Sequence, residues 1–165
     1  MKKLEHIDRI HLDAAEGWLG LGDYSSASDE LDQITQTSQT HSAVLLLRCD
    51  VFQAAEKWEQ LSALADSLVQ AKPRLLNAWI QRSYALHELK RTQAAFDQLL
   101  LGVSRFPKQW LIRYNLACYQ CQLGNQIEAK KWLDEAIVIA DEADIRELAL
   151  GDPDLEPLWP HLAKI

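Results

Sequence analysis

The sequence predicts an all-α chain, and three observations favour this fold class. Apolar residues recur at spacings of three and four along almost all of the 165 residues, which is typical of amphipathic helices. No run alternates β-branched or aromatic residues with polar ones between turn signals, so strands are not expected. Most glycines and prolines stand where the helical pattern is interrupted, and they therefore mark junctions between helices.

The charge and the cysteine content exclude several classes of function. The formal net charge is −7, so the chain is expected to repel a phosphate backbone, and nucleic acid is not an expected partner. Three cysteines do not form a disulfide framework, which favours a reducing, cytoplasmic location. The sequence has no apolar run long enough to span a membrane and no readable secretory signal, so no membrane association is expected.

A 34-residue period organises most of the chain. Pro73 and Pro107 are 34 residues apart, and a unit with proline at place 32 fits four times without an insertion. The four repeats are 8–41, 42–75, 76–109 and 110–143. Place 8 is small in every repeat, as expected where two helices cross closely. The residues at this place are Ala15, Cys49, Ser83 and Ala117.

Each repeat also shows the signals of a helical hairpin. In the first repeat Gly22 suits the left-handed position after a helix, and Asp23 is placed to cap the next helix. Gly124 and Asn125 repeat this pattern in the fourth repeat. In the third repeat Thr92 is expected to be the N-cap of the second helix.

These features together resemble the tetratricopeptide repeat (TPR) family. The pattern of that family has large residues at places 4, 11 and 24, Leu at 7, small residues at 8 and 20, Ala at 27 and Pro at 32. The matches in the third and fourth repeats are Trp79, Ser83, Ala95, Pro107, Leu116, Ala117, Ala129 and Ala136. The resemblance to small bacterial TPR proteins implies a right-handed α-solenoid of four repeats in a single domain, 1–165. It also places Trp18, at place 11, in the core. Arg82, Arg113 and Gln120 depart from the pattern at places 7, 4 and 11.

Residues 144–165 are predicted to form a C-terminal cap. The segment 144–150 is expected to be helical, and Asp152 with Pro153 suits the start of a short final turn. This Asp-Pro-Asp segment resembles the C-terminal tails of bacterial TPR proteins. The apolar residues of the segment are Ile145, Leu148, Leu150, Leu155, Leu158, Trp159 and Leu162. We expect them to cover the second helix of the fourth repeat, around Leu133.

No pattern in the sequence predicts catalysis, so the protein is not expected to be an enzyme, and no cofactor is expected. Cys118 and Cys121 form a C-x-x-C pair, but the pair lies within a helix and lacks a second Cys/His pair at zinc spacing. We interpret both as small groove-lining residues, with a shared metal or a redox pair as the alternative. None of the five histidines belongs to a catalytic or metal-binding motif.

The resemblance implies that the first helix of each repeat lines a concave groove that binds a partner. The expected groove residues are Asp50, Ile80, Gln81, Tyr84, His87, Tyr114, Asn115 and Cys118. Tyrosine and amide side chains are suited to an extended peptide. The clamp with which some TPR domains bind terminal carboxylates is not expected, because its cation positions hold Leu12, Asn77 and Gln81.

The expected function is therefore that of a protein–protein interaction scaffold or adaptor, which binds a peptide or a helix of a partner protein in the groove. The alternative is a small secretion-type TPR chaperone for an exported partner. Self-association through the repeat ends is a further option that the sequence leaves open.

Overall fold

Successive helical hairpins make up the chain. The computed structural model describes residues 4–140 and 142–162, and these contain α-helices, one 3₁₀ helix and no strand, which confirms the predicted all-α class. The hairpins are α1 (His6–Gly20) with α2 (Tyr24–Gln33), α3 (Ser42–Ala54) with α4 (Trp58–Ala71), α5 (Leu76–Glu88) with α6 (Thr92–Val103), and α7 (Trp110–Gln122) with α8 (Gln126–Ile139). They are followed by α9 (Glu142–Leu150), the 3₁₀ helix η1 (Pro153–Leu158) and α10 (Trp159–Leu162).

The chain divides into two compact units, Met1–Ala85 and Leu86–Ile165, with the boundary inside α5. In the first unit α1 packs on α2 and α3, and α3 packs on α4. In the second unit α7 packs on α6 and α8, while α9 packs on α8. The last residues of the predicted cap, 163–165, lie outside the described residues.

The same turn joins the two helices of all four hairpins. The residue at place 15 has a positive φ in each repeat, and these residues are Gly22, Glu56, Lys90 and Gly124. The N–H at place 16 donates to the carbonyl at place 11 across 2.8–3.0 Å, and the pairs are Asp23 to Trp18, Lys57 to Phe52, Arg91 to Leu86 and Asn125 to Gln120. This is the Schellman ending of a helix, which satisfies carbonyls of the last turn. It recurs every 34 residues, in register with the sequence period.

The helix starts agree only in part with the expected caps. The Asp23 carboxylate accepts the N–H of Ser26 at 3.0 Å, which confirms it as an N-cap. The prediction for Thr92 is wrong, because Arg91 occupies the N-cap and Thr92 is the first residue of α6. The cause is the turn itself: it puts Lys90 at the left-handed position, so the next helix begins two residues later.

The core follows the 34-residue period. Places 8, 20 and 24 are fully buried in all four repeats, so small and large residues alternate where the helices cross. These residues are Ala15, Cys49, Ser83, Ala117, Ala27, Leu61, Ala95, Ala129, Leu31, Ala65, Leu99 and Leu133. Trp79 is buried and donates its indole N–H to the carbonyl of Pro73 at 3.1 Å. Trp18 is 40% exposed, so its predicted core position is wrong, and no hairpin precedes α1 in the described part of the chain.

Ion pairs explain the arginines that depart from the family pattern. Arg48 and Arg82 both stand at place 7, and each pairs with the aspartate at place 25 of the preceding repeat. The distances are 2.8 Å from Arg48 to Asp32 and 3.0 Å from Arg82 to Asp66. The Arg82 guanidinium also lies 4.9 Å from the centre of the Trp79 ring. Place 7 therefore carries a polar link between repeats where the family pattern has Leu.

The other two departures are also accommodated by polar partners. The largely buried Arg113 donates from Nε to the Glu135 carboxylate of α8 at 3.0 Å. Gln120 is buried, and its Oε1 accepts from Nδ2 of Asn125 at 2.8 Å. Both of these side chains are thus hydrogen-bonded within their own hairpin.

A buried carboxylate ties the beginning of α1 to the segment after α2. Asp8 is fully buried, and its two oxygens accept from the backbone N–H and the hydroxyl of Thr35, both at 2.8 Å. Hydrogen bonds from Ser38 and from Thr35 lower the pKa of Asp8 below its ordinary value of 3.8. The carboxylate form is therefore the one that stabilises the fold.

This arrangement makes stability depend on pH. Because the folded pKa of Asp8 lies below the unfolded one, its contribution is complete above the unfolded pKa and is lost as the pH falls through the folded pKa. We expect the wild type to have a higher melting temperature than Asp8→Asn near neutral pH, and the difference to shrink below about pH 4. Thermal unfolding of both proteins, followed by circular dichroism across this range, measures the effect. A difference that does not change with pH would contradict it.

Candidate functional site

A polar and aromatic surface lies on the first helices of the second and third repeats. It is formed by Asp50 of α3 and by Ile80, Gln81 and Tyr84 of α5, and we call it the α3–α5 surface. Asp50 is exposed, Ile80 and Tyr84 are half-buried, and Gln81 is buried. The side-chain amide of Gln81 donates to the Asp50 carboxylate, so these two predicted groove residues are brought together.

The Tyr84 ring is held by an aromatic contact. The ring of Trp58, the first residue of α4, meets it edge to face, with 5.8 Å between the ring centres. Tyr84 therefore keeps a defined position while part of its side chain stays accessible. Tyr84 was predicted as a groove residue from its place in the repeat, and the contact agrees with the interpretation that Trp58, at place 17, packs against the next repeat.

The electrostatics of the α3–α5 surface are acidic. Although Asp50 is exposed at its surface, desolvation by the neighbouring residues raises the pKa of its carboxyl. The hydrogen bond from Gln81 opposes this effect, and the nearby charge of Glu16 on α1 raises the pKa further. No ion pair in the described part of the chain involves Asp50 or Glu16. The α3–α5 surface and the neighbouring Glu16 thus present two carboxylates that have no ion-pair partner among the described residues.

The predicted groove residues of the second unit are covered by the chain itself. We call residues 152–162 the tail. One carboxylate oxygen of Asp152 accepts from the Tyr114 hydroxyl at 2.8 Å and from the Cys118 thiol at 3.7 Å. The Asp154 carboxylate lies 3.4 Å from Nε2 of His87. Tyr114 and Cys118 are consequently buried.

Within the tail, η1 lies mainly against α7 and to a smaller extent against α9 and α8, whereas α10 packs on α9 and η1. The expected contact with α8, the second helix of the fourth repeat, is present, but the larger contact of η1 with α7 was not predicted. Asp152 and Pro153 begin η1 as predicted, with the Asp152 side chain accepting the N–H of Asp154 at 2.9 Å. Leu155 is fully buried, and the Trp159 indole donates to a carbonyl of α9 at 2.9 Å.

The two remaining predicted groove residues are neither fully buried nor fully exposed. Asn115 and His87 are half-buried, and the His87 ring lies 5.1 Å from the ring of Tyr119. The sequence did not identify Asp152 and Asp154 as residues that face the groove. The signal was the Asp-Pro-Asp motif, whose acidic side chains have more acceptor oxygens than one helix cap requires.

The C-x-x-C pair has the properties of buried structural thiols. Cys118 and Cys121 are free and buried, and burial together with Asp152 and Asp154 raises the pKa of both, for Cys121 to about 11. A thiol reacts and binds metals as the thiolate, so both are held in the unreactive form near neutral pH. No group of three or more side chains arranged to hold a metal occurs among residues 4–140 and 142–162.

The thiols also provide a test of this packing. We expect a chain with Cys49→Ser and Cys121→Ser, which leaves only Cys118, to react with iodoacetamide at least about tenfold more slowly in buffer than in urea at about pH 8. Mass spectrometry over time measures the reaction, and circular dichroism confirms that helicity is retained. Equal rates in the two solvents would show that the tail does not protect Cys118.

No helix among the described residues is both long and apolar enough to cross a membrane. No protein-family model matches the chain, and no curated protein matches it either.

Solved structures do resemble it. TTC0263, a thermophilic TPR protein from Thermus thermophilus, superposes with a TM-score of 0.75 at 16% identity, over 94% of this chain and 82% of that one. A part of MamA from Desulfovibrio magneticus gives 0.74 at 12% identity, over 98% and 94%. YrrB, described as a TPR protein with an unusual peptide-binding site, gives 0.70 at 16% identity, over 84% and 71%. These likenesses confirm that the fold is that of the TPR solenoids.

Proposed function

We propose that the protein is a protein–protein interaction scaffold, which binds an extended peptide or a helix of a partner on the α3–α5 surface. The observation that carries this proposal is the half-exposed Tyr84 ring beside the hydrogen-bonded pair of Asp50 and Gln81. A fixed aromatic ring next to polar groups is typical of protein recognition surfaces, because it offers contact area at a small entropic cost. The similarity to YrrB supports a peptide as the ligand class.

In this proposal the groove residues of the second unit have a different role. Tyr114, Cys118 and His87 hold the tail through Asp152 and Asp154 rather than a partner. The tail thereby covers the groove side of α7, and the partner's contacts are concentrated on the α3–α5 surface. No catalytic step is part of the function.

Affinity purification with a matched pair of variants tests the proposal. The tagged full-length chain is compared with a variant carrying Ile80→Ala and Tyr84→Ala, and with the control Tyr24→Ala on an exposed position of α2. We expect at least one co-purifying protein to be lost with the first variant and retained with the control. Equal recovery with all three proteins, at unchanged helicity, would contradict the proposal. An exported protein that is unstable alone among the lost partners would favour the chaperone alternative.

A further inference from the structure

We propose that the α3–α5 surface, together with Glu16, binds a lysine or arginine side chain of the partner segment. This inference rests on the proposed function and specifies the chemistry of the ligand. The site consists of the carboxylates of Asp50 and Glu16, the amide of Gln81 and the ring of Tyr84.

The first argument is charge. Glu16 and Asp50 both stand at place 9 of successive repeats, on the packed helices α1 and α3, and the Glu16 charge disfavours ionisation of the Asp50 carboxyl. No described ion pair involves either carboxylate. In the same unit Arg48 and Arg82 are paired with Asp32 and Asp66. A cation from outside would relieve the repulsion, whereas an acidic segment would increase it.

The second argument is an unsatisfied acceptor, which is independent of the charges. Gln81 is 7% exposed, its amide nitrogen donates to Asp50, and its Oε1 has no hydrogen-bond partner among the described residues. A buried oxygen without a donor costs free energy. The terminal torsion of glutamine is soft and roughly two-fold, so turning the amide over exchanges Nε2 and Oε1 and presents Oε1 to a donor that has reached Asp50. An ammonium or guanidinium group supplies several N–H donors and accepts none.

The third argument is the aromatic neighbour. Tyr84 follows Gln81 by three residues on α5 and therefore lies on the same face of the helix. Lysine and arginine carry long apolar stems that pack along an aromatic ring while the charged head reaches a carboxylate. The edge contact with Trp58 fixes the ring against which such a stem would lie.

The experiment uses a phage-displayed library of random 12-residue peptides, selected on the immobilised full-length protein. We expect the selected peptides to share a lysine or arginine at one position. Their affinity, measured by fluorescence anisotropy, is expected to fall by about tenfold with Asp50→Asn, as for the loss of one charge-assisted hydrogen bond. The control Asp29→Asn makes the same charge change on an exposed position of α2 and is expected to leave the affinity unchanged.

The outcomes separate this inference from the proposed function. Selected peptides that lack a shared basic residue, or that bind Asp50→Asn as tightly as the wild type, would overturn the cation site and leave peptide binding intact. A selection that enriches no peptide would contradict the proposed function itself. Selection on Asp50→Lys provides a second readout, because the shared basic residue is then expected to disappear. Circular dichroism of each variant confirms that the fold is retained.

Discussion

Replacing Leu155 by Ala is expected to lower the free energy of unfolding of the second unit by about 2–5 kcal/mol, the cost typical of a large-to-small change in a packed core. Leu155 is fully buried in η1, which packs on α7, α8 and α9. The substitution removes apolar contacts and leaves a cavity under the tail. Urea denaturation, monitored through the helical circular dichroism signal, measures the loss of unfolding free energy.

Leu150→Ala is the matched control, because Leu150 is 43% exposed at the end of α9 and is expected to cost much less. The Leu155 variant should also accelerate alkylation of Cys118, whose thiol lies beneath Asp152. Unchanged stability together with unchanged alkylation would mean that the tail does not pack on α7 in solution.

Asp66→Ala is expected to cost about 1–3 kcal/mol, because it leaves the guanidinium of Arg82 without its carboxylate. The Arg82 side chain is 7% exposed, and in the part of the chain that the structure describes its Nε atom already lacks a hydrogen-bond partner. Asp66 is half exposed, so the cost lies below that of breaking a fully buried ion pair. The melting temperature and the urea midpoint both report this change.

A double variant tests whether apolar packing can replace the ion pair between Arg82 and Asp66. Arg82→Leu with Asp66→Leu restores the leucine that the family pattern has at place 7, and we expect it to retain most of the wild-type stability. Asp29→Ala, at an exposed position of α2, is the control for loss of a surface charge. If Asp66→Ala were as stable as that control, the ion pair would make no contribution to the stability of the fold.

The hairpins could be predicted from the sequence because their packing imposes a local rule. A helix crossing needs a small side chain, and it recurs every 34 residues, so Ala27 and Ala129 identify equivalent positions without any knowledge of the structure. The rule fails where the local surroundings differ. In α9 Ile145 and Ala149 are buried, whereas Leu148 and Leu150, which were both predicted to pack inward, are 47% and 43% exposed.

The candidate site was less predictable, because it depends on contacts between residues distant in the sequence. Repeat numbering assigned both Asp50 and Gln81 to the predicted groove, but it did not predict the hydrogen bond between them. It did not reveal that Asp152 reaches Tyr114 across 38 positions. Asp152 already had a local role as a helix cap, and its second oxygen left no mark in the periodic pattern.

The ion pair between places 7 and 25 also limits which repeats can follow one another. The first and second repeats carry Asp32 and Asp66 in their second helices, and the repeats after them supply Arg48 and Arg82. The third repeat instead has Leu100 at place 25, and the fourth has Leu116 at place 7. Duplicating the second repeat would therefore create a matched junction, whereas joining the fourth repeat directly to the second would set a carboxylate against a leucine. The four modules are alike in shape but are not interchangeable in order.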